Sequence, residues 1–94
     1  MATRKAREIK AGLVKKGFKT TQRDHTYLFL YVGDRKSRIH TKISHGIKEY
    51  GDNLLSLVAR ELKISPKQLD DLLDCPLSYE SYLSVLKEKK ALEI

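Results

Sequence analysis

The stretch RDHTYLFLYVGDRKSRIHTKISHG, residues 23–46, decides the fold of this chain. Aromatic and branched residues fill positions 25–32, which is typical of a β-strand, and a Gly33-Asp34 turn of three to five residues leads to a further strand over 37–44. Residues 18–23 predict a shorter strand just before them. Together these segments predict an antiparallel sheet in which each strand pairs with the next.

Side chains alternate across a strand, so the predicted sheet has two chemically different faces. The first face carries Phe18, Thr20, Gln22, Leu28, Leu30, Val32, Ile39, Thr41 and Ile43. The other face carries Lys19, Thr21, Arg23, His25, Tyr27, Phe29, Tyr31, Arg38, His40 and Lys42. Because helices need an apolar surface to cover, we expect the first face to be buried and the second to be open.

Two helices, one before and one after the strands, are predicted to supply that cover. We expect Thr3 to cap the first helix and Gly17 to end it. Its apolar side carries Ala6, Ile9 and Leu13. We expect Asp52 to cap the second helix, whose apolar stripe comprises Leu54, Leu55, Val58, Ala59 and Leu62.

Two shorter helices are predicted after residue 64. Ser65, Pro66 and Gln68 form a favourable helix start, and that helix is expected to end near Cys75-Pro76. Ser78 is expected to begin the last helix. The apolar residues of these helices are Leu69, Leu72, Leu73, Tyr79, Tyr82, Leu83 and Leu86.

This order of elements predicts an α+β fold of two layers, α-β-β-β-α with a three-stranded antiparallel sheet, plus two C-terminal helices. Residues 1–64 are expected to form the αβββα domain. Residues 65–94 are expected to form a C-terminal helical extension packed on the same domain.

The composition is that of a globular protein: 94 residues, 40% hydrophobic and 33% charged, enough for one modest core. No apolar run approaches the ~20 residues of a membrane span, and the N-terminus lacks a signal-peptide pattern, so neither a membrane nor secretion is predicted. The single cysteine, Cys75, suits a reducing cytoplasm, and we expect it to serve in a Cys-Pro turn rather than as a nucleophile.

Positive charge is concentrated in the first half of the chain. Residues 1–48 hold 13 Lys/Arg and 3 Asp/Glu, a net charge of +10, whereas residues 49–94 hold 6 and 9, a net charge of −3. A basic half of this kind indicates a phosphate backbone as partner. A membrane surface would require a basic amphipathic helix with bulky apolar residues, which the first helix lacks.

The open face combines aromatic rings with cations, which is how proteins bind single-stranded RNA: bases stack on the rings while Lys and Arg neutralise phosphates. An alternative is that Tyr27, Phe29 and Tyr31 pack beneath the C-terminal helices or against a second subunit, as in a homodimer.

The three histidines differ in their expected roles. His25 is predicted to open the second strand beside Arg23 and Asp24, and it is the leading catalytic candidate. His40, on the same face, is the second candidate, expected to position phosphate or to act as the partner of His25. His45 is expected to face the core or the loop and to fix the turn by hydrogen bonding. No Cys, His or carboxylate cluster has ligand spacing, so no metal or other cofactor is predicted.

The run LVKKGFKTTQRDHTYLFLYVGDRKSRIHTKISHG, residues 13–46, resembles HicA-type toxins, small ribonucleases of toxin–antitoxin pairs, and the resemblance covers about residues 6–65. The segment Lys15-Lys16-Gly17-Phe18 is similar to the family's Lys-Lys-x-Gly-Phe-like helix end, and His25 holds the place of the family histidine. His45-Gly46 and the Lys48, Glu49, Gly51 segment are similar to two further family motifs. The family has Gly-Ser where this chain has Arg23-Asp24.

The resemblance implies a double-stranded-RNA-binding-like fold and metal-independent mRNA cleavage by an endoribonuclease (mRNA interferase). It also implies a HicB-like antitoxin as inhibitory partner. The residues predicted to bind RNA are Lys19, Arg23, Tyr27, Arg38, Lys42 and Lys48, and those predicted to catalyse are His25 and His40. Two alternatives stay open: a domain that binds RNA or DNA without chemistry, and an inactive homologue that acts through protein interaction.

Overall fold

The computed structural model describes residues 3–74 and 76–90. Its elements are β1 (Arg4–Lys5), α1 (Ala6–Lys15), β2 (Phe18–Gln22), β3 (Thr26–Val32), β4 (Arg35–Ile43), β5 (Glu49–Tyr50), α2 (Asp52–Glu61), α3 (Pro66–Leu73) and α4 (Tyr79–Glu88). The predicted meander is the antiparallel sheet β2-β3-β4, while β1 and β5 form a separate antiparallel pair. The predicted α+β class with its three-stranded sheet is confirmed.

Strand β3 shows the predicted alternation of buried and half-exposed side chains. Leu28 and Leu30 are fully buried, whereas Tyr27 and Phe29 between them are half-buried. The buried face meets residues of α1 and α2: Ile9, Leu13, Leu55, Val58, Ala59 and Leu62. Three members of the predicted core face are not buried: Thr20, Gln22 and Val32. Thr20 and Gln22 lie on the edge strand β2, and Val32 lies beside the hairpin turn.

The β3–β4 hairpin turns in two residues rather than the predicted three to five. Val32 pairs with Arg35, which leaves only Gly33 and Asp34 in the turn. Gly33 has a φ of +62°, which primed two-residue turns require at their first position and which glycine adopts without strain. Lys36 therefore belongs to β4, not to the turn.

The start of α1 differs from the sequence-based prediction. Thr3 does not cap it, because Arg4 and Lys5 are extended and pair with Tyr50 and Glu49. The N-cap residue is Lys5, which makes no side-chain cap hydrogen bond. The first free N–H of the helix, that of Ala6, instead donates to the carbonyl of Lys48 at 2.8 Å.

Of the other three helices, α3 and α4 are capped by the predicted serines, whereas α2 is not capped by the predicted Asp52. Ser65 and Gln68 form a reciprocal capping box, and Ser78 accepts from the N–H of Ser81. The cap of α2 is Gly51, so Asp52 is its first helical residue, where its charge still favours the positive helix end. None of the helices in the described part of the chain has the length and apolarity that a membrane span requires.

Helices α3 and α4 share the core with the sheet. Leu69, Leu72 and Leu86 are fully buried. The Tyr82 ring stacks on Phe18 with centroids 6.1 Å apart, and its hydroxyl donates to the carbonyl of Leu62 at 2.8 Å. Burial raises the pKa of the Tyr82 phenol, so it remains a hydrogen-bond donor at neutral pH.

The side chain of Lys16 ties α1 to the C-terminal helices. It is 8% exposed, and its Nζ donates to the carbonyl of Leu72 at 2.6 Å and to that of Leu77 at 2.8 Å. The ammonium therefore satisfies carbonyls at the C-terminal end of α3 and just beyond it, where positive charge is favoured. The predicted role of Cys75 in this turn falls outside the described residues.

We predict that Gly17→Ala destabilises the fold by about 2 kcal/mol or more, because Gly17 has a φ of +92°. An added Cβ would also lie 2.7 Å from Cε1 of the Tyr79 ring. That ring is held in place because its hydroxyl donates to the carbonyl of Tyr31 at 2.9 Å. Urea denaturation measures the loss.

The matched control for this substitution is Gly46→Ala. A Cβ at Gly46 meets no atom within 4 Å, and its φ is not in the left-handed region. We expect this variant to unfold at nearly the wild-type urea concentration. Equal midpoints for the two variants would contradict the argument.

A second prediction concerns acid stability. Arg4 joins the N-terminal strand to α3, with Nε 3.1 Å from Asp70 Oδ1 and Nη2 2.7 Å from Asp74 Oδ2. The hydrogen bond from Arg4 holds the pKa of Asp74 below its ordinary value of 3.8. Ionised Asp74 therefore stabilises the fold at neutral pH, and this contribution disappears as the pH falls through the lowered pKa.

We expect Asp74→Asn to be less stable than the wild type at pH 7, and the difference to shrink as the pH falls below about 4. The effect is modest because the Asp74 side chain is 57% exposed. Urea denaturation across this pH range measures it, with the exposed Glu88→Gln as a control for removal of a carboxylate. A difference that is constant with pH would show that the Arg4 pair is not its cause.

Candidate nucleic-acid interface

A row of rings runs along the open face of the sheet. Tyr27 and Phe29 stack with centroids 6.4 Å apart and planes at 22°, and Phe29 stacks on His40 at 4.9 Å and 21°. In the described residues, the ring contacts of Tyr27 and Phe29 are all with His25, His40, Lys36 or each other. Neither ring is among the partly buried side chains that pack against the hydrophobic core, and the alternative of cover by the C-terminal helices or by a second subunit stays a prediction.

Lysines border this row and lie over two of its rings. The Nζ of Lys36 is 3.9 Å from the Phe29 centroid, and that of Lys19 is 4.3 Å from the Tyr31 centroid. Both distances are within the range of cation–π attraction. Lys42 pairs in register with Tyr27, on the exposed side of β4. The face therefore alternates rings with positive charge.

An irregularity in β4 places His40 over Phe29. Phe29 pairs with His40 but Tyr31 pairs with Lys36, so β4 holds two extra residues between these points. The hydroxyl of Ser37 accepts the N–H of Ile39 at 3.1 Å inside this bulge. Bulges of this kind re-aim side chains.

The His40 ring is oriented by a local hydrogen bond. Its Nδ1 lies 2.9 Å from the carbonyl of Arg38. A carbonyl only accepts, so Nδ1 carries the proton and Nε2 is the free acceptor of the neutral ring. Arg38 itself is exposed on β4, in alternation with His40 and Lys42.

His25 lies in the loop between β2 and β3 rather than opening β3, which begins at Thr26. The loop is closed by the N–H of Arg23, which donates to the His25 carbonyl at 2.9 Å. The His25 Nδ1 is buried and has no hydrogen-bond partner among the described residues, whereas Nε2 is not enclosed in this way. A buried polar atom without a partner costs free energy, and a catalytic role is one of the reasons for which proteins retain such an atom.

His45 lies next to His25 and is anchored by the start of β3. The two imidazole centroids are 6.4 Å apart, in an edge-on arrangement. The Thr26 hydroxyl donates to Gln22 Oε1 at 3.0 Å and lies 3.1 Å from His45 Nε2. Since that hydroxyl has one proton, His45 must donate from Nε2, which leaves its Nδ1 free to contact other groups. The expected hydrogen bond of His45 is present, and of its two expected positions, the core and the loop, its side chain takes the one in the loop.

The structure does not bring together the two histidines that the sequence suggested as a pair. Positions 25 and 29 are about 13 Å apart along the strand, at ~3.3 Å per residue, and His40 lies beside position 29. Two groups that act on one phosphate must each come within about 2.6–3.2 Å of its oxygens or their protons. His45, not His40, is the imidazole within reach of His25.

The remaining predicted residues fall at three places. Lys19, Tyr27 and Lys42 are on the open sheet face, and Arg23 is in the loop that carries His25. Lys48 lies apart from the face, in the segment between β4 and β5, where it lines a pocket with His45. Within residues 3–74 and 76–90, no three metal-ligating side chains converge on one point.

Sequence reasoning missed two contributors to this surface. Lys36 was assigned to a turn because the hairpin was expected to be longer. His45 was expected only to fix the turn after β4. Strand alternation does not predict its ring contact with His25, because His45 lies beyond the last residue of β4. The basic residues Lys5, Arg7 and Lys10 were assigned to no site, although their density near the N-terminus could have indicated one.

Comparison with protein-family models, with curated proteins and with solved structures finds no significant match for this chain. The geometry of the site is therefore the basis for any statement about its function.

We predict that Thr26→Val releases His45 from its position beside His25. Valine keeps the shape of threonine but removes the hydroxyl that accepts from His45 Nε2 at 3.1 Å. In the wild type, ¹⁵N-detected NMR should show neutral His45 as the Nε2–H tautomer, and the variant should show a mixture of tautomers. Neutral His40, held by the Arg38 carbonyl, should keep its Nδ1–H tautomer in both proteins. An unchanged His45 spectrum would contradict the assignment.

Proposed function

We propose that this protein is an RNA-binding, metal-independent endoribonuclease, an mRNA interferase toxin of the HicA type. The observation that carries the proposal is the position of His25. Its ring stands at the end of a cationic, aromatic sheet face, 6.4 Å from a second imidazole and with one ring nitrogen not enclosed by protein. This is the arrangement that acid–base cleavage of a bound single strand requires.

Binding of RNA to this face follows from its chemistry. Bases stack on Tyr27 and Phe29, which are only half-buried, while Lys19, Lys36 and Lys42 neutralise phosphates. In this arrangement His40 extends the stacking surface, since it lies parallel to Phe29. The order α1-β2-β3-β4-α2 also supports a double-stranded-RNA-binding-like arrangement.

The cleavage proposed here is an internal transesterification of the RNA. A base takes the proton of a ribose 2′-OH, the 2′ oxygen attacks the neighbouring phosphorus, and the bond from phosphorus to the 5′ oxygen breaks. An acid returns a proton to that 5′ oxygen, so the products are a 2′,3′-cyclic phosphate and a 5′-OH. His25 and His45 are the imidazoles that can serve as this pair, and we propose Arg23, in the same loop as His25, as the cation that stabilises charge on the phosphate.

A HicB-like antitoxin is the proposed inhibitor. The open face carries the stacked rings of Tyr27, Phe29 and His40 as well as the lysines proposed to bind RNA, so a protein that covers it would block RNA access. Its strong positive charge favours an acidic partner.

The test compares His25→Ala with His40→Ala in purified protein, on a labelled single-stranded RNA in the presence of EDTA. We expect His25→Ala to lower the cleavage rate by ~10²-fold or more, because it removes an acid–base group. We expect His40→Ala to weaken RNA binding but to change the cleavage rate of bound RNA by less than ~tenfold, since it removes only a stacking ring. Expression of each variant in cells should show growth arrest for His40→Ala and none for His25→Ala.

The controls separate this proposal from the non-catalytic alternative. Circular dichroism and thermal unfolding establish that both variants are folded. Equal cleavage by His25→Ala and the wild type would overturn the catalytic role. RNA binding that depends on salt, with no cleavage by the wild type, would instead indicate a binding domain.

A further inference from the structure

A pocket of about 440 Å³ lies between the start of α1 and the segment that joins β4 to β5. The hydrogen bond from the Ala6 N–H to the Lys48 carbonyl, at 2.8 Å, joins its two sides. The pairing of β1 with β5 holds the same two segments together. The pocket is therefore built by the N-terminal strand that the sequence did not predict.

The rim of the pocket is strongly basic. Four cations line it, Lys5, Arg7, Lys10 and Lys48, against one carboxylate, Glu49. No ion pair in the described part of the chain involves any of these four cations. A concave site with this excess of positive charge attracts an anion of more than one charge.

The floor of the pocket is apolar. Ala6, Ile43 and Ile47 contribute to its lining, and Ile43 is only 6% exposed. A simple anion would gain nothing from such a floor, whereas a flat aromatic base would be buried against it. The volume falls within the ~300–1,000 Å³ of ordinary small-molecule sites. An apolar floor beneath a cationic rim matches a nucleotide, with its base below and its phosphates above.

The pocket is continuous with the proposed cleavage site. His45 lines it, and the His45 ring is 6.4 Å from that of His25. From His25 the row of rings continues to Tyr27, again at 6.4 Å between centroids, and then along β3. A single strand that crosses the face can therefore continue over the edges of the two imidazoles to the pocket that His45 lines.

We infer that this pocket is a nucleotide subsite, which holds one nucleotide of the RNA next to the phosphate that lies between His25 and His45. The statement that the bound nucleotide belongs to an RNA substrate rests on the proposed function. The binding of a nucleotide to the pocket is tested separately. An acidic segment of a protein partner is the competing occupant. The apolar floor and the continuity with the ring row favour the nucleotide.

The test is an NMR titration of the full chain with adenosine 5′-monophosphate, with inorganic phosphate and poly-glutamate as comparison ligands. We expect the monophosphate to shift the amide signals of Ala6, Ile47 and Lys48. The double variant Lys10→Glu/Lys48→Glu should weaken this binding by roughly tenfold or more, because attraction becomes repulsion on two sides of the pocket. The charge-matched control is the double variant Lys87→Glu/Lys90→Glu, at two exposed positions away from the pocket, and it should bind as the wild type does.

A second titration uses a short single-stranded RNA and the His25→Ala protein, so that the RNA is not cleaved. We expect shifts both in the pocket and at Tyr27 and Phe29. Shifts at the sheet face alone would overturn the subsite and leave the proposed function standing. A third outcome is that the wild type does not cleave RNA and neither protein binds it, while the monophosphate still binds in the pocket. This would overturn the proposed function and leave the nucleotide site.

Two further outcomes would also overturn the inference. Equal shifts and affinity for inorganic phosphate and for the monophosphate would show that the base makes no contact with the floor. Tighter binding of poly-glutamate, with displacement of the monophosphate, would assign the pocket to a protein partner.

Discussion

Strand β3 is paired on both sides, with β2 and with β4, and the alternation of its side chains constrains everything around it. Leu28 and Leu30 form the floor on which α1 and α2 pack, and Tyr27 and Phe29 are turned to the opposite side by the same backbone. A slip of one residue in either register would expose the leucines and bury the rings. The hydrophobic core therefore fixes the composition of the open face. The chemistry of that face is a consequence of packing on its other side.

The first residue of β3 links this constraint to the histidines. Thr26 is 5% exposed and on the core side of the strand, yet its hydroxyl contacts both Gln22 and His45. The hydroxyl thus joins the end of β2 to the segment that follows β4, at the edge where His25 leaves the sheet. A buried polar group with two partners confines His45 to one place beside His25. Precise placement of this kind is what separates an acid–base pair from two histidines on a surface.

The alternation of apolar and polar residues was sufficient to predict the class of fold, the three strands and which side of β3 is open. Such periodicity is set by local geometry and by burial, so it is visible in the sequence itself. The same reasoning failed where a contact depends on distant segments. Thr3 is a residue type that often caps helices, but the pairing of Arg4 with Tyr50 prevents that role. No local pattern near residue 4 predicts this pairing, because the partner strand is more than forty residues away. The separation of His25 from His40 likewise follows from strand register and from the bulge at Ser37, which side-chain type does not specify.

The buried ammonium of Lys16 has a consequence for the order in which the protein is assembled. Its acceptors belong to residues 72 and 77, and the ring that stacks on Phe18 belongs to residue 82. All three histidines are synthesised in the first half of the chain, but the core that supports their sheet closes only when residue 86 has been added. During translation the growing chain therefore carries its reactive groups without the scaffold that aligns them. We therefore expect the three imidazoles to reach their final positions only when almost all of the described chain has been synthesised, because Lys16 and Phe18 find their partners at residues 72, 77 and 82.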